Sequence, residues 1–513
     1  MNNATDGEKS RSTYRRIVSS TAVFGGAHVF SILINIIRAK LVALILHSKG
    51  MGFSAIISNA ANTLQQVSML GLNIAAVPDI SKANAEEDEQ VLAYTIRIVR
   101  RLVLVASIVG VVLTVSLSPL ISKLSFGTTD YTPYFLLLAA SIFFNVLGTG
   151  EMAVLQGLRR YKLLAFCSTV PPICGLLISI PIYFIWGVEG IVPAMIVVNV
   201  IYFIVIRILS YRVKRQYRER ISIRQVWTKG RDIIKFGFVM TIGTVVGTLG
   251  TYALFAFISN TGSIDDAGFY YSASIIASQY IGLIFTAMAA DYFPHLSGLL
   301  KTDKSDAFRL VNKQTEILLL IMGPLIMLFI LSAPLAIRIL LTDEFLCIED
   351  MVRMIGVTGV FRAIFTPMDY IAYAKGDRAY IFWVETVFCS SKTFAVMALS
   401  YHFMGMEGLG YGALVSSVID LVVTLTLIPW RYGYRLTRMS VRLTIIMILL
   451  TGTCLACSFI GNTLLSYSLM GIITAAGTVF CLIQLDKRID LRSLAKHYLG
   501  RTQKEVVSTN SQV

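Results

Sequence analysis

Two long apolar runs in the second half of the chain each carry one base and one acid, seven residues apart: Arg362 with Asp369, and Glu385 with Lys392. Seven residues are about two helical turns, so the members of each pair share a face. The runs are antiparallel about a turn at Arg378. Asp369 stands nine residues before that turn and Glu385 seven after it, whereas Arg362 stands sixteen before and Lys392 fourteen after. At about 1.5 Å per residue, the carboxylates lie roughly 10–14 Å in from the inner surface and the cations about 20–25 Å in. Pro367 is expected to kink the first helix between its two charges. Ionisable groups at such depth are paired or functional.

Two chemistries fit this pattern. One is a set of salt bridges holding the two helices together. The other is a cationic site for an anionic headgroup, with Arg as a bidentate phosphate ligand and Lys as a point charge. Carboxylates below it would take up H+ or Na+, desolvation raising their proton affinity. Asn35 and Arg38, three residues apart on one face of the first run, extend the cationic set. Glu151 in the fourth run and Asp420 in the twelfth join Asp369 and Glu385 as candidates for the coupling ion.

These residues need apolar helices to hold them, and the composition supplies them. Of 513 residues 55% are hydrophobic and only 15% charged, against about 25% charged in soluble domains. Fourteen apolar runs, beginning with 19–46 and 52–80 and ending with 464–484, are long enough to cross a bilayer as helices. They lack the period-2 alternation of a barrel. The net charge of +15 is carried in short loops, which excludes a nucleic-acid partner. All but 8 of the 45 Lys and Arg fall on one side if both termini are cytoplasmic. The richest segment, with Arg212, Lys214, Arg215, Arg218 and Arg220, reads as a topology signal that also attracts anionic lipid. Six of seven cysteines lie in apolar runs, a packing pattern rather than a disulfide framework or metal site. No cleavable signal is expected, because the first apolar run is too long. No long loop is present to carry a soluble catalytic platform, so no enzyme is expected.

The chain also repeats itself. Gly52-Phe53 and Pro78-x-x-Ser81 recur as Gly268-Phe269 and Pro294-x-x-Ser297, 216 residues on. Gly157-x-Arg159-x-Tyr161 recurs as Gly376-x-Arg378-x-Tyr380, 219 residues on, and Gly187-x-Glu189-Gly190 as Gly405-x-Glu407-Gly408, 218 on. Each copy spans six runs, so both enter the membrane in the same sense, as a parallel repeat able to rock about a central site. The repeated Gly-x-Arg-x-Tyr reads as a cytoplasmic corner: Gly for the turn, Arg as inside anchor, Tyr at the interface. The expected organisation is a cytoplasmic N-terminus (1–18), an N-lobe (19–210), a basic linker (211–232), a C-lobe (233–430), two further helices (431–484) and a cytoplasmic tail (485–513).

Fourteen spans, a six-plus-six parallel repeat and these landmarks resemble the polysaccharide exporter branch of the multidrug/oligosaccharidyl-lipid/polysaccharide (MOP) superfamily, which includes O-antigen flippases. The resemblance implies a cavity between two six-helix lobes and a bacterial inner-membrane location. It implies a transporter with no cofactor beyond an H+ or Na+ gradient. Its partners would be an undecaprenyl-pyrophosphate-linked oligosaccharide, membrane lipids and other polysaccharide-assembly proteins, and a monomer would suffice. Arg38, Arg362 and Lys392 match the family's cationic cavity by depth. A drug/cation antiporter of the same superfamily is the alternative, but its coupling acid is missing from runs 1 and 7. A lipid II-type peptidoglycan precursor flippase is another, and a membrane polysaccharide polymerase is disfavoured by the short loops.

Overall fold

Long apolar runs in hydrocarbon leave the backbone no partner but itself, so they must close their hydrogen bonds within helices. Every regular element among the described residues is helical. The computed structural model describes residues 2–86, 88–211 and 223–489. The basic cluster from Arg212 to Arg220 and the tail from 490 on lie outside the described residues. Eleven helical segments are long and apolar enough to cross a membrane. The chain is therefore an all-α, multi-pass membrane protein.

The helices run in order: α1 (Asn2–Met69), α2 (Leu72–Ala85), α3 (Glu89–Phe126), α4 (Thr132–Gly157), α5 (Tyr161–Trp186), α6 (Ile191–Tyr211), α7 (Ile223–Thr261), α8 (Ile264–Thr302), α9 (Lys304–Leu340), α10 (Glu349–Lys375), α11 (Arg378–Tyr380), α12 (Cys389–Met404), α13 (Met406–Tyr432), α14 (Arg438–Ser458) and α15 (Thr463–Ile489). The expected break between the first two runs is found at His47, whose backbone leaves the helical region inside α1. A single 3₁₀ turn, Gly187–Gly190, separates α5 from α6.

Two features depart from the sequence reading. The run expected as one helix over 52–80 is interrupted at Leu70 and Gly71, both with positive φ. The physical reason lies across the contact: Gly71 packs on the carbonyl of Gly237 in α7, and a Cβ on Gly237 would stand 2.5 Å from the carbonyl of Leu70. The second departure is a π-helical stretch, Ile381–Phe388, between α11 and α12. It contains Glu385. Its wider i→i+5 turns mean that the spacing to Lys392 is not two α-turns, so the shared face expected of that pair does not follow.

The chain packs as two units. The first comprises 1–272, 337–346 and 385–398; the second comprises 273–336, 347–384 and 399–513. In the first, α4 packs on α3, α6 and α2, and α1 packs on α5, α3 and α7. In the second, α10 packs on α13 and α14, and α14 on α15. Its core runs through Met322, Ile326, Val360, Ile364, Ile428 and Met447.

The repeated Gly-Phe pairs find their reason inside the first unit. A Cβ on Gly52 would collide with the carbonyl of Ile264, and one on Gly268 with the carbonyl of Ser48. Both collisions are separated by the same 216 residues as the repeat, so the two glycines form a self-related crossing of α1 with α8. Only glycine lets two backbones approach this closely. The following aromatics wedge each side: Phe53 stacks on Phe126 at 5.6 Å between ring centres, and Phe269 meets Phe345 edge-on at 5.5 Å.

The other repeated landmark divides. Gly376 has φ +65° and caps α10 in open space, as expected of a turn glycine. Gly157 is still helical, and a Cβ there would lie 2.6 Å from the Ile80 side chain. The positive φ of that corner belongs to Arg159 instead. Tyr380 is buried rather than interfacial. Its backbone N–H is capped by Asp377, whose carboxylate also accepts from Arg431 (2.6 Å) and Tyr432 (2.7 Å).

Candidate functional site

Arg38 and Asn35 come together as their spacing predicts, in a cavity of about 340 Å³ within the first unit. Its walls are α1 on both sides of the His47 break, α4, α5 and α6. Gly175 of α5 faces the guanidinium: a Cβ there would stand 3.0 Å from its Nη1. Asn62 and Gln65 enter from the second half of α1, Asn145 and Ser141 from α4, and Asn199 from α6. A chain of amides fixes one wall. Asn145 Nδ2 donates to Asn199 Oδ1 at 3.1 Å, and Asn199 Nδ2 donates to Ser141 Oγ at 2.7 Å. Gln65 Nε2 donates to Thr149 Oγ1 at 3.3 Å. Ser179, 1% exposed, presents a hydroxyl with no hydrogen-bond partner.

Among the described residues, the Arg38 guanidinium makes no hydrogen bond or ion pair, and no carboxylate lines its cavity. A planar fork of five donors, set among neutral amides, has the geometry to donate hydrogen bonds to the oxygens of a planar or tetrahedral anion. The amides supply donors and acceptors for hydroxyl-rich groups without cancelling the charge. Asn62, Gln65 and Asn199 were not marked by the sequence reading. Polar amides four or more residues inside an apolar run were the available signal.

Glu151 lies elsewhere, in a second cavity of about 630 Å³ lined also by Arg97, Arg100, Arg101 and Arg207. Arg100 grips it with both ends of its fork, Nε to Oε1 and Nη2 to Oε2, each 2.9 Å. Arg207 also donates to Oε1, and Ser210 Oγ to Oε2 at 2.6 Å. That is the setting of a counter-ion.

The remaining candidates are distributed over both units. In the second, Asp369 is 7% exposed and accepts from Thr424 Oγ1 at 3.2 Å and Tyr380 OH at 3.5 Å. Arg362 is exposed, its guanidinium 4.8 Å from the centre of the Phe285 ring. Seven residues, with Pro367 among them, thus separate a buried acid from an exposed base on α10. Asp420 is half-buried on α13. In the first unit, Lys392 is 8% exposed on α12 and Glu385 half-buried in the π-helical stretch. Among the described residues no group of three His, Cys, Asp or Glu is placed to hold a metal ion.

The fold is MOP/MATE-like. The structure is similar to that of the lipid II flippase MurJ in an inward closed conformation, with a TM-score of 0.69 over 91% of this chain and 99% of that one at 15% identity. It is also similar to an inward-facing multidrug resistance MATE family transporter, with a TM-score of 0.65 over 79% of this chain and 94% of that one at 16% identity. No curated protein matches the sequence. The family model described as "Polysaccharide biosynthesis protein" matches residues 41–350, more than half of the chain, and the chain belongs to that family.

Proposed function

We propose that this protein is a lipid-linked oligosaccharide flippase, moving an undecaprenyl-pyrophosphate-linked glycan from the cytoplasmic to the periplasmic leaflet of a bacterial inner membrane. The observation that carries this reading is Arg38: a guanidinium without a hydrogen-bond or ion-pair partner among the described residues, in an amide-lined cavity with no carboxylate in its lining. A pyrophosphate supplies the missing counter-charge and a glycan uses the amides. A cationic drug would find like charge and no acid. Membership of the polysaccharide biosynthesis family favours a polysaccharide intermediate over a peptidoglycan precursor.

Alternating access of lobes 19–210 and 233–430 would turn the site from one face to the other, and monomers would suffice. Fourteen passes follow if Leu33–Met69 and Lys162–Tyr211 each count as two, given the breaks at His47 and Gly187, and α8 is added. Both termini are then cytoplasmic. Asp369, buried beside two hydroxyls, is the strongest candidate for the coupling ion, H+ or Na+. Arg362 and Lys392 remain candidate headgroup ligands, and Glu385 and Asp420 candidate acids.

Deletion and complementation test the proposal. Cells lacking the protein should accumulate lipid-linked oligosaccharide on the cytoplasmic face. The wild-type chain should clear it, and a stably expressed Arg38→Gln chain should not. An unchanged lipid-linked pool on deletion, or full clearance by Arg38→Gln, would overturn the reading.

A further inference from the structure

Two glycine contacts in the first unit join the two copies of the repeat, and they are held in different ways. At one, Gly52 and Gly268 cross, and side chains tie their surroundings together. Ser48 donates its backbone N–H to Glu344 at 3.2 Å, and its hydroxyl lies 2.6 Å from the Asp265 carboxylate and 2.7 Å from that of Glu344. Lys40 Nζ donates to the carbonyls of Arg338 and Ile339 at the end of α9, at 3.2 and 2.8 Å. At the other, the corner between α1 and α2 meets α7, Gly71 against Gly237. Among the described residues, no side-chain hydrogen bond joins α2 to α7.

This second contact is costly to keep closed. Leu70 has φ +43°, a left-handed conformation that its Cβ opposes. The first turn of α2 has no side-chain cap. Thr241 of α7, 3% exposed, has its hydroxyl against Gly71 and no hydrogen-bond partner. Asn73, two residues past Gly71, has a buried side-chain oxygen with none either. Water would satisfy both oxygens, so the closed contact forfeits bonds that an open one regains. Parting from α7 would also free Leu70 from the close approach of Gly237. The part that moves is not α2 alone, because Ile80 seats α2 over Gly157 of α4. The seam is between the corner and α7. It stands toward the end that the Lys/Arg pattern assigns to the cytoplasm, and the Gly52 crossing toward the other.

We propose that these contacts are the inner and outer closures of the carrier, and that the inner one is strained and weaker, so the empty molecule opens first toward the cytoplasm. Rocking of the two copies must break each closure in turn. Strain and unsatisfied oxygens at Gly71–Gly237 lower the cost of breaking that one, and the Ser48 and Lys40 bonds raise the cost of breaking the other. The inference rests on the alternating-access reading above, and on no particular cargo.

Amide hydrogen–deuterium exchange of the purified full-length chain in nanodiscs, read by mass spectrometry, tests it. In the wild type, the α7 segment around Gly237 should exchange faster than the α8 segment around Gly268. Leu70→Asn suits the left-handed conformation without the freedom of glycine, and Thr241→Val removes the orphaned hydroxyl at nearly constant shape. Each should slow exchange around Gly237 by about fivefold and leave Gly268 unchanged. The readout needs no cargo, so its failure is separate from failure of the clearance assay. Exchange around Gly268 as fast as that around Gly237 in the wild type overturns the proposal. So does wild-type exchange around Gly237 in both variants.

Discussion

Two cavities in the same unit hold arginine in opposite ways. Around Arg38 the charge is surrounded by amides and hydroxyls and meets no acid. Around Glu151 a buried carboxylate is saturated by two arginines and a serine. A transport site must bind a charged cargo and let it go, so an internal counter-ion would compete with the cargo at every cycle. A structural site has no such constraint, and the pair can tighten to the limit of the geometry. On the proposed reading, the presence or absence of a carboxylate therefore separates the two cavities better than depth in the membrane does.

Breaking the Glu151 side of this comparison should have the largest effect on stability. Glu151→Gln removes the charge from a side chain only 5% exposed, while Arg100 and Arg207 are 26% and 40% exposed. Leaving the arginines partly hydrated lowers the penalty below that of a fully buried pair, to about 2–3 kcal/mol. The expected outcome is a clear drop in melting temperature, with whatever protein remains folded still clearing its substrate. Unchanged melting would mean that the arginines do not need Glu151 to stay in place.

Asn199→Asp sharpens the other side. It puts a carboxylate into the Arg38 cavity, on the wall already tied to Asn145 and Ser141. Charge-assisted hydrogen bonds contribute about 1.5–3 kcal/mol, so a competing internal acid should reduce cargo clearance by roughly ten- to a hundredfold at saturating expression. Thermal stability should hold or rise. Adding an acid at one cavity and removing one at the other thus have opposite signs on stability, and a fall in both would sink the distinction. Ser179→Ala is a smaller version. Its hydroxyl is buried without a partner, so a purely structural role predicts neutral or raised stability and normal clearance. A role toward cargo predicts a loss of about 1 kcal/mol in clearance.

The sequence exposed one cavity and only half of the other. Asn35 and Arg38 are three residues apart on one helix, so local periodicity places them together. The partners of Arg38 in the cavity enter from α4, α5 and α6, and no spacing rule links Asn62 to Asn199. Glu151 stood out as an acid in an apolar run, but Arg100 and Arg207 looked like ordinary topology signals because they flank their runs. Their pairing spans 51 and 56 residues and depends on how α3, α4 and α6 meet. The repeat was legible because glycine-mediated backbone contacts leave no alternative residue. It misled at the corners, where the same Gly-x-Arg-x-Tyr serves helix packing in one copy and a left-handed cap in the other. The π-helical stretch around Glu385 has no periodicity signature distinct from an α-helix over eight residues.

A less buried ion pair extends the comparison to the aqueous edge. Asp377, in the turn between α10 and α11, accepts from Arg431, Tyr432 and the backbone N–H of Tyr380. The Arg431 guanidinium holds its carboxyl well below the ordinary value of 3.8; burial opposes this, and the Tyr432 and Tyr380 bonds reinforce it. An acid with a depressed folded-state pKa stabilises the fold above its unfolded pKa and loses that contribution as pH falls toward the folded value. The contribution should therefore be complete above about pH 5 and decline below about pH 4. Asp377→Asn removes it at every pH. The melting-temperature gap between wild type and this variant should be flat from pH 5 to 8 and narrow under acid. With Arg431 half-exposed, the gap should be smaller than that of Glu151→Gln, because exposed pairs are screened by water and salt. A gap as large as the Glu151 one would show that carboxylate saturation, rather than burial, sets the strength of these pairs.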